Sequence, residues 1–123
     1  MPTVSYVNVF VDDLARAIEF YGTKLGLERK HVDLEHGYAS FAAGPVSLGL
    51  AAVEGEHAAL AGRLTGIGLA VEDLASEHAR LVGLGVAFAM PPTRQPWGGF
   101  MALVTDPAGN TLYLDELAAA HPG

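Results

Sequence analysis

The segment DPAGNTLYLDE, Asp106 to Glu116, places a phenol and a carboxylate, Tyr113 and Asp115, two residues apart. On an extended strand that spacing puts both side chains on one face. A tyrosine or carboxylate there can act as acid or base if its pKa is brought near working pH. This is the one pairing in the chain that suggests acid–base chemistry. The five histidines suggest less. His31 and His36 flank a hairpin-like VDLE segment, His57 lies in a polar stretch, His78 sits between Leu74 and Leu81 in a helical pattern, and His121 is in the tail. No two of them have the i, i+4 spacing of a helical metal motif. His78 reads by default as a partly buried helical histidine. There is no G-x-S-x-G elbow and no G-x-x-x-x-G-K-[ST] loop, so serine hydrolysis and phosphate chemistry have no support. The absence of cysteine removes disulfides, thiolate zinc sites and cysteine nucleophiles.

A chain of 123 residues, half of them hydrophobic and 17% charged, is expected to form one compact domain with a single moderate core. The formal charge of −7, with only 7 Lys and Arg, speaks against nucleic acid as a partner and suits a cationic small molecule better. MPTVSYVNVFVDD has no basic region followed by an apolar run, and no stretch approaches the ~20 apolar residues of a membrane span. A cytoplasmic location, with no membrane partner, is the resulting expectation.

The elements that must position these residues come in two copies. VDDLARAIEF (Val11 to Phe20) and VEDLASEHAR (Val71 to Arg80) match at Val11/Val71, Asp13/Asp73, Leu14/Leu74 and Ala15/Ala75. Each follows a strand-like run, TVSYVNVFV or LTGIGLAV. In the first copy Asp12 or Asp13 caps a helix with Leu14, Ala17, Ile18, Tyr21 and Leu25 on one face, and Gly26 ends it with positive φ. Strand-like LERKHVD, HGYASFA and PVSLGLAAV follow. The second copy predicts a helix from Asp73 to about Leu84, then VAFAM, GFMALVT and NTLYLDE, with PPTRQPWGGF as an irregular loop. Each copy therefore reads as β-α-β-β-β. The fold class is α+β, two βαβββ modules in tandem within one domain, 1–123. Module 1 covers about 1–53, a polar linker with at most one helical turn about 54–63, and module 2 about 64–120.

VNVFVDDLARAIEFYGTKLGLE resembles the opening of the vicinal oxygen chelate superfamily, the glyoxalase, bleomycin-resistance and extradiol dioxygenase group. PWGGFMALVTDPAGNTLYLDE is similar to its closing signature, a tryptophan-glycine pair followed by Asp-Pro-x-Gly-Asn and a final strand. The resemblance implies that each module curls a mixed sheet around a cavity, with its helix on the convex face. In metal-dependent members one ligand sits on the first and one on the last strand of each module. Counted from the helix-opening aspartate and the Asp-Pro turn, those positions fall on Tyr6, Gly49 or its neighbour Leu48, Gly66 and Tyr113. None is an ordinary ligand for a hard or borderline divalent ion, so no metal and no cofactor is expected.

Strand alternation extends each position into a face. Tyr6, Asn8 and Phe10; Ser47, Gly49 and Ala51; Gly66, Gly68 and Ala70; and Thr111, Tyr113 and Asp115 would line the cavity. Val7, Val9, Val11, Leu48, Leu50, Ile67, Leu69, Val71, Leu112 and Leu114 would pack on the helices. Small and aromatic groups with a few polar handles suit a ligand pocket. Each also has a plainer reading. Tyr6 and Tyr113 can fill vacated space as β-formers, and Gly66 and Gly68 can relieve crowding at a bend. Trp97, the single tryptophan, can be a ligand wall, a dimer contact or a core cap, and Arg94 can meet an anion or water. Phe41, Phe88, Met90, Phe100 and Met101 alternate on strands, so one face of each strand is core.

The expected function is a metal-free binding protein, similar to the bleomycin-resistance branch. It would sequester an aromatic or cationic ligand, antibiotics included, at Tyr6, Asn8, Phe10, Gly49, Gly66, Trp97, Met101 and Tyr113, with no catalytic residue. Gly99, Phe100 and Met101 replace charges that often follow the tryptophan-glycine pair in that branch, which implies a ligand more apolar than bleomycin or one unrelated to antibiotics. The alternatives are a metal-dependent lyase or dioxygenase, and a metal-free enzyme using Tyr113 and Asp115. The resemblance further implies a homodimer with its pockets at or near the interface.

Overall fold

The computed structural model describes residues 1–117; the end expected for module 2 near residue 120, and His121, lie outside the described residues. The element order is β1 (Tyr6–Val11), α1 (Leu14–Ile18) running into a π-helical segment (Glu19–Lys24), β2 (Glu28–Asp33), β3 (Tyr38–Ala43) and β4 (Val46–Ala52). A 3₁₀ segment (Gly55–Leu60) precedes β5 (Leu64–Val71), α2 (Leu74–Gly83), β6 (Ala87–Arg94), β7 (Phe100–Thr105) and β8 (Thr111–Glu116). The strands form two mixed four-stranded sheets, ordered β1-β4-β3-β2 and β5-β8-β7-β6. In each, the first and last strands are parallel and the other pairs antiparallel. The expected α+β architecture of two curled βαβββ sheets is the one observed.

The chain forms two compact units. The first comprises Met1–Arg63 with Pro107–Asn110, and the second Leu64–Asp106 with the chain from Thr111 onward.

In the first unit Asp13, not Asp12, caps α1, its carboxylate accepting from the Arg16 N–H. Leu14, Ala17 and Tyr21 are buried as their spacing predicts, but Phe20 is buried too. The π winding explains this. The Leu25 N–H reaches back to the Phe20 carbonyl at 2.8 Å, one residue further than an α-helix allows. The wider turn brings the adjacent Phe20 and Tyr21 rings inward together, edge to face at 4.9 Å. Gly22 in the same turn is the seat of the Phe41 ring: a Cβ there would stand 3.1 Å from Phe41 Cε2. Gly26 terminates the segment at φ +85°. Val9, Val11, Ala39, Phe41, Leu48 and Leu50 complete this core.

In the second unit Asp73 caps α2. The Ser76 backbone N–H, and then its hydroxyl, hold the carboxyl below its ordinary pKa. Leu74 and Leu81 of α2 are buried, as are Ala102, Val104, Leu112 and Leu114 of the sheet, and α2 packs on β7 and β8. Ile67, Leu69 and Val71 are only half-buried. One expectation fails: the strand predicted over VAFAM does not stop there, and β6 runs on through Pro91 and Pro92 to Arg94. It is an edge strand with its register shifted between Met90 and Thr93. Residues lacking an N–H are tolerated at such an edge because no neighbour demands one.

The Asp-Pro-x-Gly-Asn turn is explained by its last residue. Asn110, 1% exposed, accepts from the Gly62 and Arg63 N–H groups through Oδ1, at 2.8 and 3.0 Å. Its Nδ2 donates to the Phe10 carbonyl at 2.7 Å. Only a side-chain amide supplies both functions at one place. Asn110→Ala is expected to lower unfolding free energy by about 2–4 kcal/mol, since each buried backbone group left without a partner costs about 1–3 kcal/mol. Urea denaturation measures this, and a wild-type midpoint would remove Asn110 from the role.

Candidate functional site

A helix covers one face of each sheet, and the other face carries the residues singled out from the sequence. In the first sheet register sets Tyr6 beside Ser47, Asn8 beside Gly49 and Phe10 beside Ala51. Across β4, Ser40 lies beside Gly49 and Tyr38 beside Ala51. Tyr6 is 60% exposed and Phe10 half-buried, whereas Leu48 is buried on the helix side. Gly49, and not Leu48, therefore belongs to the open face.

Gly49 is where this face is most closely built. A Cβ on it would collide with Asn8 Oδ1 and stand 2.6 Å from the Tyr38 hydroxyl. Only a bare Cα lets these two polar groups lie flat over the middle of the sheet. Tyr38 was missed from the sequence. It reaches Gly49 diagonally across the strands, a relation visible only once the β3–β4 register is known. Lys30 was missed as well. A register shift between Arg29 and His31 interrupts the alternation of β2, and the Lys30 ammonium donates to Ser47 Oγ at 2.6 Å.

In the second sheet Gly68 lies beside Tyr113 and Ala70 beside Asp115. Leu103 and Met101 flank the same two residues from β7. Tyr113, Asp115 and Met101 are all half-buried. Gly66 stands apart from this row. The β5–β8 register shifts between Leu64 and Gly68, and Gly66 has φ +75°. The Thr65 hydroxyl holds the bulge, donating to the Thr111 carbonyl at 3.0 Å and accepting the Ile67 N–H at 3.1 Å. Glycine is required there by backbone conformation.

Trp97 is 60% exposed in a tight turn. Gly98 N–H donates to the Gln95 carbonyl at 2.9 Å and Gln95 N–H to the Gly99 carbonyl at 2.7 Å. Arg94 is spent on that turn: its Nη1 donates to the Gly98 carbonyl at 3.0 Å and its guanidinium lies 4.8 Å from the Phe100 ring centre. This compact geometry replaces the irregular loop expected from the sequence.

The histidines take ordinary places. His78 packs edge to face on Phe88 at 4.6 Å. His36 closes a turn with Asp33, its backbone N–H and then its imidazole holding that carboxyl below the usual range. A cleft of about 320 Å³ in the first unit is lined by Asp12, Glu35, His36 and Glu54 among others, and none of the candidate ligand residues lines it.

A metal centre of the kind this fold can carry needs at least three convergent donors. Among the described residues no three His, Cys, Asp or Glu side chains come together to hold an ion. Tyr6, Gly49, Gly66 and Tyr113 supply no such set, so the residues do not fit the group. No described helix is long and apolar enough to cross a membrane.

The same arrangement recurs in known proteins. The chain resembles TnmS3, an antibiotic binding protein from Streptomyces sp. CB03234, at 28% identity over 96% of this chain and 98% of that one, with a TM-score of 0.79. It is similar to a glyoxalase/bleomycin resistance protein/dioxygenase superfamily member from Sphaerobacter thermophilus DSM 20745, at 25% identity, 94% and 98% coverage and a TM-score of 0.79. With a lactoylglutathione lyase from Agrobacterium tumefaciens it shares the fold, at 20% identity, 95% coverage of each chain and a TM-score of 0.73. A search of the curated proteins gives no match. The model of one family, the Glyoxalase/Bleomycin resistance protein/Dioxygenase superfamily, matches residues 3–114, and the chain belongs to that superfamily.

Proposed function

We propose that this chain is a small-molecule-binding protein that works without a metal centre and sequesters an aromatic or cationic ligand, antibiotics included. The observation that carries this reading is the composition of the open faces. Where a metal enzyme of the superfamily needs donors, the strands present Tyr6, Gly49, Gly66 and Tyr113, flanked by Asn8, Phe10 and Met101. Aromatic rings beside glycine gaps favour a flat apolar body, and Asn8 and Tyr38 give it hydrogen-bonding handles. The exposed Trp97 adds a further aromatic surface, and the charge of −7 favours a cation. Similarity to an antibiotic binding protein over nearly the full length of both chains supports the same reading.

In this proposal the ligand-binding residues of the first sheet are Tyr6, Asn8, Phe10 and Gly49. Those of the second unit are Gly66, Trp97, Met101 and Tyr113, Gly66 acting by shaping the strand. The chain works as a cytoplasmic homodimer with its pockets at or near the interface.

Titration with bleomycin and a panel of planar or cationic antibiotics is expected to quench Trp97 fluorescence saturably at about one ligand per chain. Protein carrying stoichiometric metal after Ni, Zn, Mn or Fe supplementation, with turnover of a hemithioacetal or catechol, would overturn the proposal. Gly49→Ala, whose methyl must push Asn8 and Tyr38 off the sheet, is expected to weaken binding about tenfold. Unchanged affinity would take Gly49 out of the site. Light scattering at micromolar concentration is expected to give the mass of two chains, and a monomer mass would count against the assembly.

A further inference from the structure

Asp115 is a carboxylate without a donor among the described residues, on a face it shares with Thr111 and Tyr113. It lies in the interior of the second sheet, between Ala70 of β5 and Met101 of β7. A Cβ built on Gly68 would stand 3.3 Å from its Oδ2, so the carboxylate leans diagonally over β5, into the space that Gly68 leaves. Tyr113 precedes it by two residues on the same face. None of these four neighbours carries a positive charge.

Several other acidic groups are engaged. Asp13 and Asp73 cap helices, Asp33 holds His36, and Glu116 accepts the Leu74 N–H at 3.2 Å. Asp115, half-buried, receives no hydrogen bond and forms no ion pair among the described residues. A half-buried carboxylate with no donor of its own keeps its acceptor capacity for an arriving N–H group.

We infer that Asp115 determines ligand specificity by anchoring a protonated amine carried on an aromatic ligand, with Gly68 and Ala70 leaving room for the ammonium and Tyr113 offering its ring face. The inference rests on the small-molecule-binding reading above and narrows its ligand to an amine. A cation over the phenol ring gains further attraction. A carboxylate rewards N–H groups in particular, so a primary or secondary ammonium is preferred to a neutral group of the same shape.

Three probes of one shape test it: 9-anthracenemethylamine, 9-anthracenemethanol and 9-anthracenecarboxylate, measured by equilibrium dialysis. Wild type is expected to bind the amine about tenfold tighter than the alcohol, and the carboxylate weakest, with the amine's advantage shrinking as salt rises. Asp115→Asn, which keeps the shape and removes the charge, should bring the amine-to-alcohol ratio to about one. Gly68→Ala, which crowds Oδ2, should lower the ratio while leaving the charge in place. Equal affinities of wild type for amine and alcohol, or a ratio that survives in Asp115→Asn, would overturn the inference and leave the binding function standing. Failure of wild type to bind any of the three would overturn both.

Discussion

The parallel pairing of the first and last strand in each sheet is the constraint on which the rest depends. Parallel neighbours cannot be joined by a hairpin, so the chain must leave the sheet, pass through a helix and come back. In both units the helix covers one face. Val9, Val11, Leu48 and Leu50 are buried on that side of the first sheet, and Leu112, Leu114, Ala102 and Val104 on that side of the second. Alternation sends every second residue to the opposite face. The candidate site is thus a by-product of how the sheet is closed. Tyr6, Asn8 and Phe10, or Tyr113 and Asp115, are on the open face because their neighbours are needed for the core.

Departures from regular geometry tune that arrangement. The π winding after α1 turns Phe20 inward beside Tyr21, and Gly22 accepts the Phe41 ring. The bulge at Gly66 and the shift around Lys30 re-aim side chains that strict alternation would have sent elsewhere. Asn110 ties the turn before β8 to the Phe10 carbonyl and to the backbone at Gly62 and Arg63. Each device acts through the backbone, and three of the four involve glycine or asparagine, residues with little bulk or with side chains that mimic the peptide group.

The open faces carry aromatic and polar groups side by side. They present phenol rings, a side-chain amide, a lysine held on a serine hydroxyl and one unengaged carboxylate. Groups of this kind can orient and hold a ligand, and among the described residues no three His, Cys, Asp or Glu side chains come together to hold an ion. Membership of the superfamily is compatible with either use, since one scaffold hosts several chemistries. The composition of the faces is what supports the binding reading proposed above.

The repeat around Asp13 and Asp73, the apolar alternation of the strands and the Asp-Pro-x-Gly-Asn turn were enough to read two βαβββ modules from the sequence, because each signal is local: a cap, a period of two, a turn. The same alternation placed Tyr6, Asn8, Phe10, Tyr113 and Asp115 on open faces. Register was not legible, since pairing between strands depends on bulges whose backbone energies leave no composition signature. Hence Tyr38 and Lys30 were missed, β6 was ended before Pro91, and the winding that buries Phe20 was unforeseen. The sequence by itself determined which residues must avoid water and therefore which faces exist. Only the tertiary structure decided which side chains meet on those faces, such as Asn8 and Tyr38 over Gly49 or Asp115 over Gly68, because those meetings depend on strand register.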